Sequence, residues 1–576
     1  MSILINSLRV CGFRGLSNVE LSLEPTTVLT GVNNSGKTSL LKALQVAFGN
    51  PSFLTRDDFT VKEHEQSTKI IVDTRIISSD DPKQFLEVWE ELLTTKRIIT
   101  DNPEHSYVPI RSVVIYDSVS ASCKFKQYIL RQWPAYSAST EPTWQNEDNG
   151  VEMPSRFEEI PFFYIDAQRD IMEDIKLRTS FLGRIISSIE YSKKQVEEIE
   201  LMIKSLNEAT ISGSEVLSML QDTLKGVAVL VGDGQGEIEV TPFTKKLRDL
   251  NKGISISYKD QETSFPLELH GMGTRSWTSL LTLKTLLSLL NGVAKKGTKP
   301  FYPILCIEEP ESHLHPHAQK ALYDQLNEMP GQKIISTHSP FIAAQAKLKE
   351  LRSVTHKRNE VLIGKIPIDA IDADAARKIQ QKVIKTRGEM LFAKVIVFFE
   401  GETEELALPI LAEKFFGTSE MLNISFIGVG GYGSYAPFLR VAESLNIPWF
   451  VFSDNEKVAE QSVKNQVKDT NPDTCIADKV VFLPSDMNFE KYLLSEKYHE
   501  AVRKSIIQSE CFQNEQHRCA KTETISKYSE AELLEAMKHN KTQMGALIAE
   551  NIVNNQMALP GKVSDLFNKV KVILGA

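Results

Sequence analysis

Short apolar runs that stop at a glycine or an acid set the rhythm of this chain. Residues 26–30 (TTVLT) form a β-rich run, followed by a Gly/Asn/Ser turn and an apolar-faced helical pattern over 39–48. Residues 304–307 (ILCI) close on Glu308 and Glu309, and a shorter run at 333–335 leads through Ser336 and Thr337 to His338. Downstream, 394–399 (KVIVFF) closes on Glu400, 449–452 (WFVF) on Ser453 and Asp454, and 479–483 (KVVFL) leads to Asp486 and Glu490. Brief continuous apolar runs bounded by turn signals predict strands buried on both faces. Such strands belong to parallel sheets covered by helices, so the predicted class is α/β. Helical spacing marks 180–227 and 405–415. The most apolar helical stretch, 279–293, carries Lys284 and is shorter than a membrane span, so it reads as a core helix. Residues 57–77 and 107–132 read as a β-rich lobe, 135–154 as a polar loop, and 495–539 as a polar helical lobe. No internal repeat or low-complexity tract is visible.

The turn after the first run carries chemistry. Gly31-Val32-Asn33-Asn34-Ser35-Gly36-Lys37-Thr38 fits the phosphate-binding loop G-x-x-x-x-G-K-[ST] between a strand and a helix. The backbone from Asn33, Asn34, Ser35 and Gly36 would wrap a phosphate chain at the helix N-terminus. Lys37 would reach the β/γ-phosphates and Thr38 would hold Mg²⁺. Nucleotide hydrolysis also needs carboxylates at a strand end. Glu308 is assigned to the metal shell, Glu309 to activation of water, and His338 to the neighbourhood of a γ-phosphate. His313, His315 and His317 raise a zinc reading, but Pro316 interrupts the run and no Cys stands at ligand spacing. A polar loop beside the nucleotide is the stronger alternative.

In this order the motifs resemble the ATP-binding-cassette ATPase heads of the RecF/SMC type. The opening 8–15 (LRVCGFRG) is similar to the start of those heads, and the resemblance places Arg14 near the nucleotide. Glu308 stands where the family usually has Asp. The family's signature loop is degraded here. The best match, 269–276 (LHGMGTRS), would present Gly271 and Gly273 to a partner's γ-phosphate, or it is an ordinary glycine turn. Such completion in trans implies at least a homodimer. The helical stretch at about 180–230 matches the position of the family's insertion, which dimerises or packs on the head.

The second half resembles a Toprim domain. Residues 400–404 (EGETE) are close to that family's acidic motif, and 387–394 (RGEMLFAK) strengthens the match. Residues 428–433 (GVGGYG) resemble the glycine-rich loop between the two acidic strands. Where the family has D-x-D, this chain has Asp454-Asn455-Glu456. The resemblance implies a divalent-metal site built from Glu400, Glu404, Asp454, Glu456 and Glu490. A cassette head followed by a Toprim domain resembles the overcoming-lysogenization-defect (OLD) family of nucleases. That family adds a Lys near the chain end, matched here by Lys541, with Lys538 close by.

The implied organisation is a RecF/SMC-like ATPase domain over 1–355, a linker over 356–386 and a Toprim nuclease domain over 387–576. The implied activity is ATP-binding, metal-dependent DNA cleavage, with Glu400 and Asp454 catalytic beside Glu309 and Lys541. ATP and Mg²⁺ are the expected cofactors, with Mn²⁺ or Ca²⁺ as other occupants of the Toprim site. OLD-type proteins serve in bacterial defence against phage, so a second component such as a reverse transcriptase or a helicase is an expected partner. The alternative is a RecF-like DNA-binding ATPase without nuclease activity. A primase would need a zinc module, and a topoisomerase a placed Tyr nucleophile; neither is seen.

Composition changes this picture little. The chain has 576 residues, 41% hydrophobic and 24% charged, ordinary for a globular protein of several domains. A net charge of −9 is unlike a DNA-coating protein but leaves room for local basic strips. Six scattered Cys without a C-x-x-C pair fit reduced thiols in a cytoplasmic protein. Polar residues interrupt the first apolar run, so no signal peptide is expected.

Overall fold

A computed structural model describes residues 3–166, 192–219, 257–266, 272–296 and 300–575, less residues 50, 63–64, 82, 95–98, 103–104, 138–143, 147–149, 154–156, 261–262, 358–359, 419–422 and 456. The chain divides into two compact units, residues 168–286 and the remainder.

The larger unit opens with two sheets. The first is a six-stranded sheet in the order Phe162–Ile165, Ile304–Glu308, Gln332–Ser336, Thr26–Thr30, Leu351–Lys357, Glu360–Lys365. All neighbours run parallel except the last pair. Parallel strands bring their C-terminal ends to one edge, which is where ligands of open α/β sheets bind. The second sheet is antiparallel and includes Ile3–Cys11, Val19–Ser22, Lys69–Ser78, His105–Asp117 and Ser122–Ile129. Helix Lys37–Phe48 joins the two in one apolar core, with Leu40, Leu41 and Leu44 packed among Ile70, Val72, Ile110, Cys306 and Ile334. The stretch 356–386, expected as a linker, instead holds the end of one strand and all of Glu360–Lys365 within the six-stranded sheet. A short helix, Ala373–Lys378, and a π-helical turn, Ile379–Ile384, then lead to the next sheet. The charged residues around the short apolar run 361–363 hid strand Glu360–Lys365.

The next sheet has four parallel strands in the order Ile424–Gly428, Val395–Phe399, Trp449–Ser453, Val480–Phe482. The first strand in sequence sits inside the sheet. The chain adds one neighbour on one side and then crosses to the other. The strand order therefore reverses between Val395–Phe399 and Trp449–Ser453, and a crevice at such a switch point is the usual ligand position. Strand Ile424–Gly428 was not anticipated; its apolar positions are interrupted by Ser425. The polar lobe at 495–539 also contributes to this unit's core. Val502, Ile506, Ile525, Leu533 and Met537 pack with Phe489, Ile548 and Phe567.

In the smaller unit, helix Lys193–Ser212 is capped by Ser192, whose hydroxyl accepts from the N–H of Gln195. Leu201, Met202 and Leu206 of this helix are exposed. Strands Ser257–Asp260 and Thr263–Pro266 form a hairpin. No described helix is long and apolar enough to cross a membrane.

Candidate active sites

The phosphate-binding loop joins strand Thr26–Thr30 to helix Lys37–Phe48. Gly31 has φ 133° and lies so close to the neighbouring strand that a Cβ would fall 2.2 Å from the Val354 carbonyl oxygen. Only glycine fits there. Gly36 caps the helix at φ 107°, and Asn34 takes a left-handed φ of 59°. Asn33, Asn34 and Thr38 are exposed, while Ser35 and Lys37 are buried. The Lys37 Nζ donates to the carbonyl oxygens of Gly31 and Val32, each at 2.8 Å. Burial lowers the Lys37 ammonium to about 8, against the opposing pull of Glu309, Glu308 and Glu311.

Glu308 ends its strand between two hydroxyls. Thr38 Oγ1 donates to one carboxylate oxygen and Tyr164 Oη to the other. Tyr164 comes from the adjacent strand Phe162–Ile165, and the Lys42 ammonium lies 3.6 Å from its ring centroid. Desolvation, then the Glu308 carboxylate, raises the Tyr164 phenol far above its ordinary value, so it remains a donor. Glu309 adopts φ 44°, an unfavourable region for a side chain with a Cβ, and its N–H donates to the Ser336 carbonyl at 2.9 Å. The bend aims Glu309 at His338, with Oε1 and Nε2 3.5 Å apart. Burial and the Lys37 charge hold the His338 imidazole below its usual pKa, opposed by Glu309. The His338 ring also meets the Phe392 ring at 6.2 Å between centroids. Phe392 ends the turn Gly388–Phe392, which precedes strand Val395–Phe399 at the end opposite Glu400.

The residues present fit a nucleotide. Ser35 Oγ and Ser336 Oγ are buried at the loop and strand ends without a hydrogen-bond partner, beside a buried ammonium. Arg14 instead engages Asp58, Nε to Oδ1 at 2.6 Å. Gly273 lies in the first turn of helix Met272–Lys296, where backbone N–H groups lack intrahelical acceptors. Gly271 lies outside the described residues, as do Gln168 and Arg169 of the strand-to-turn segment. His315 caps helix Pro316–Asn327, accepting from the N–H of His317, and the two rings stack. Both are therefore engaged as a helix cap in a polar loop.

At the other sheet, the adjacent strand ends bring Glu400 and Asp454 to the switch point. Glu400 Oε1 accepts from Ser453 Oγ at 2.6 Å and from Tyr435 Oη at 3.4 Å. Glu404 follows in the first turn of helix Glu402–Phe416 and is 4% exposed. Desolvation first, then Asp454, Glu490 and Glu400, raise the Glu404 carboxyl well above its ordinary pKa. Glu490 arrives from helix Phe489–Ser495 rather than from a strand end, and accepts from Thr403 Oγ1 at 2.7 Å. Asn455 lies between the acids and ties the loops together, accepting from the N–H of Asp486 at 2.8 Å and donating to the Leu483 carbonyl at 2.8 Å. Glu456 lies outside the described residues. Lys541 begins helix Lys541–Asn554, which packs directly on the Glu404 helix. Gly545 makes that approach possible, since a Cβ there would fall 2.6 Å from the Thr403 carbonyl. Hard oxygens facing one another across a half-buried crevice fit a divalent cation. Among the described residues no three of these side chains are closed into a preformed metal cage.

Residues 4–343 match the AAA ATPase domain family. The chain belongs to that family. Its residues 391–455 match the overcoming lysogenization defect protein-like TOPRIM domain, so an OLD-like TOPRIM domain follows the ATPase domain. The chain is 22% identical over 473 residues to the OLD nuclease of Thermus scotoductus, covering 79% of this chain and 82% of that protein. It is 22% identical to the Old nuclease of Escherichia phage P2, covering 79% and 77%. It is also 23% identical to the endonuclease GajA of Bacillus cereus strain VD045, covering 80% and 76%. An AAA ATPase domain followed by a parallel-sheet TOPRIM domain is therefore the architecture of the chain. Nucleotide and divalent-metal use follow from those two domains.

Sequence reading missed the residues that hold the acids: Tyr164, Ser453, Tyr435 and Thr403. Tyr164 and Tyr435 carry no local signal, because each acts on a residue distant in sequence. Thr403, inside 400–404 (EGETE), and Ser453, beside Asp454, stood next to acids, but their partners are distant.

Proposed function

We propose that this AAA ATPase-domain protein is an ATP-binding, metal-dependent DNA endonuclease of OLD type. The observation that carries the reading is the meeting of Glu400, Glu404, Asp454 and Glu490 at the switch point of the TOPRIM sheet. Four carboxylates repel one another unless a cation stands between them, and Asp454, Glu490 and Glu400 add to the desolvation that raises the Glu404 carboxyl. Glu400, Glu404, Asp454 and Glu490 would hold the metal, with Glu456 a further ligand from the same loop. Divalent metal, when bound, neutralises charge on the attacking and leaving oxygens of a phosphodiester. Ser453, Tyr435 and Thr403 orient the carboxylates. Lys541, at the N-terminal end of a helix packed beside them, is assigned to the scissile phosphate.

In the ATPase domain, Lys37 and the loop backbone bind the phosphates, and Thr38 and Glu308 hold Mg²⁺. Glu309 takes the proton of the attacking water, with His338 facing it. Arg14 serves the nucleotide once released from Asp58. Gly271 and Gly273 complete a second copy's ATP site, so the working unit is a homodimer or larger. The likeness to the OLD-type nucleases and to the endonuclease GajA supports a role in anti-phage defence, and the reading extends to a second component and to the bacterial cytoplasm.

Plasmid cleavage with Mg²⁺ or Mn²⁺ tests the reading. Glu400→Ala and Asp454→Ala should reduce cutting to background while ATP binding persists, and Lys541→Ala should slow cutting. Cleavage by Glu400→Ala at the wild-type rate would move the chain to the alternative, a DNA-binding ATPase without a nuclease.

A further inference from the structure

The geometry points to Glu311 and Gln319 as positioning residues for ATP hydrolysis, which set Glu309 and His338 against each other through one closed ring of hydrogen bonds. This rests on the ATPase reading given above.

Glu311 is 8% exposed and belongs to the loop after the acidic strand. Its Oε1 accepts three bonds from the turn that carries His338: Thr337 Oγ1 at 2.7 Å, the His338 N–H at 2.6 Å and the Ser339 N–H at 3.0 Å. Ser339 Oγ then donates to Gln319 Oε1 at 2.6 Å. Gln319 Nε2 donates to the Leu314 carbonyl at 2.9 Å, and the Leu314 N–H donates to the Glu311 carbonyl at 3.0 Å. The circuit closes on the residue where it began. The Ser312 N–H, inside the same loop, donates to the Glu309 carbonyl at 3.0 Å.

The ring joins two segments at the end of the ladder, where the Glu309 N–H to Ser336 carbonyl and Thr337 N–H to Leu29 carbonyl bonds are the last between strands. Strands Ile304–Glu308 and Gln332–Ser336 are in register up to Glu308 and Ser336, and both reacting side chains lie beyond that point. The 3.5 Å separation of Glu309 and His338 therefore depends on the loops, and the loops are held by Glu311 and Gln319. Burial raises the Glu311 carboxyl, the Thr337 hydroxyl and the His338 N–H oppose it, and its Oε2 is buried without a hydrogen-bond partner. A buried, half-satisfied carboxylate costs stability. A neutral acceptor would brace a turn as well, but with fewer strong bonds: charge-assisted bonds are about twice as strong as neutral ones. The carboxylate concentrates three of them on the turn of one reacting residue.

The test is ATP hydrolysis by the full chain, with thermal melts, for wild type, Glu311→Ala, Glu311→Gln, Gln319→Ala, His338→Ala and the doubles with His338→Ala. Misplacing a reacting group by an ångström costs up to about 100-fold. Glu311→Ala should lose between about 10- and 100-fold in kcat, with KM for ATP held within about threefold. Glu311→Gln, which keeps one acceptor oxygen, should recover most of that rate. The doubles should be slower than His338→Ala by no more than about twofold, because residues acting through one another are not additive. Gln319→Ala reads the same coupling if Glu311→Ala fails to fold. Losses that multiply in the doubles, or rates unchanged while only the melting temperature falls, would overturn the proposal and leave the ATPase reading standing. A wild type that hydrolyses no ATP overturns both.

Discussion

The ATP site and the TOPRIM site solve the same electrostatic problem with opposite means. Each buries one titratable group against three carboxylates. In the ATPase domain the buried group is Lys37, and Glu309, Glu308 and Glu311 favour its charge against desolvation, leaving it at about 8. In the TOPRIM domain the buried group is Glu404, and Asp454, Glu490 and Glu400 add to desolvation instead of opposing it. The first cluster contains its own cation and can be assembled by folding alone. The second gathers like charges, which a cation from outside would balance. Hydroxyl donors follow the same division. Thr38 and Tyr164 fix Glu308 on both oxygens, while Ser453, Tyr435 and Thr403 each steady a carboxylate that keeps acceptor capacity for a metal.

The contrast is broken most sharply by removing the base from the self-balanced site. Glu309→Gln should slow ATP hydrolysis by roughly 10²–10⁴-fold while ATP still binds, because Lys37 and Thr38 are untouched. Equal turnover in a steady-state phosphate-release assay would remove Glu309 from its role. The cation demand of the other site is read next, by thermal unfolding with added Mn²⁺ or Mg²⁺ and no nucleotide. A ligand at about 100 times its Kd stabilises the folded state by about 2.7 kcal/mol. Wild type should show such a rise, and Asp454→Ala should show little of it. A rise of equal size in the mutant would mean that the metal sits elsewhere.

The smallest effect concerns pH. Lys37 ordinarily titrates at 10.5 and here at about 8, so the free protein holds it charged below that value and progressively neutral above. Phosphate binds the charged form. Affinity for a fluorescent ATP analogue should therefore be flat up to about pH 8 and then fall, by no more than about tenfold per pH unit. Lys37→Arg, whose guanidinium stays charged, should flatten the profile whatever its absolute affinity. A wild-type profile flat to pH 9.5 would show that phosphate contacts depend on the backbone alone.

Much of both sites was legible in the residue pattern, for a local reason. A phosphate loop must place Gly, Lys and Thr at fixed spacing, because consecutive backbone N–H groups do the binding. Catalytic carboxylates at strand ends leave an equally local trace: apolar runs that stop at Glu308, Glu400 and Asp454. Glu490 was legible as an acid but not as a helix residue, since the loop after strand Val480–Phe482 turns at Asp486, with φ 59°, before the helix begins. The edge strand Glu360–Lys365 was read as linker because its apolar run, 361–363 (VLI), is only three residues long and set among charged residues.

What the sequence determined by itself was the set of reacting groups and the α/β class, since both follow from residue type at short range. The order of strands, with Val395–Phe399 inside its sheet and Glu400 and Asp454 at the reversal point, came only from the tertiary structure. So did every group that holds a reacting residue in place. Thr403 and Glu490 are 87 residues apart, Ser453 and Glu400 53, Tyr164 and Glu308 144. Hydrogen bonds of that span depend on how sheets and helices pack, and no spacing in one chain encodes packing at such a distance.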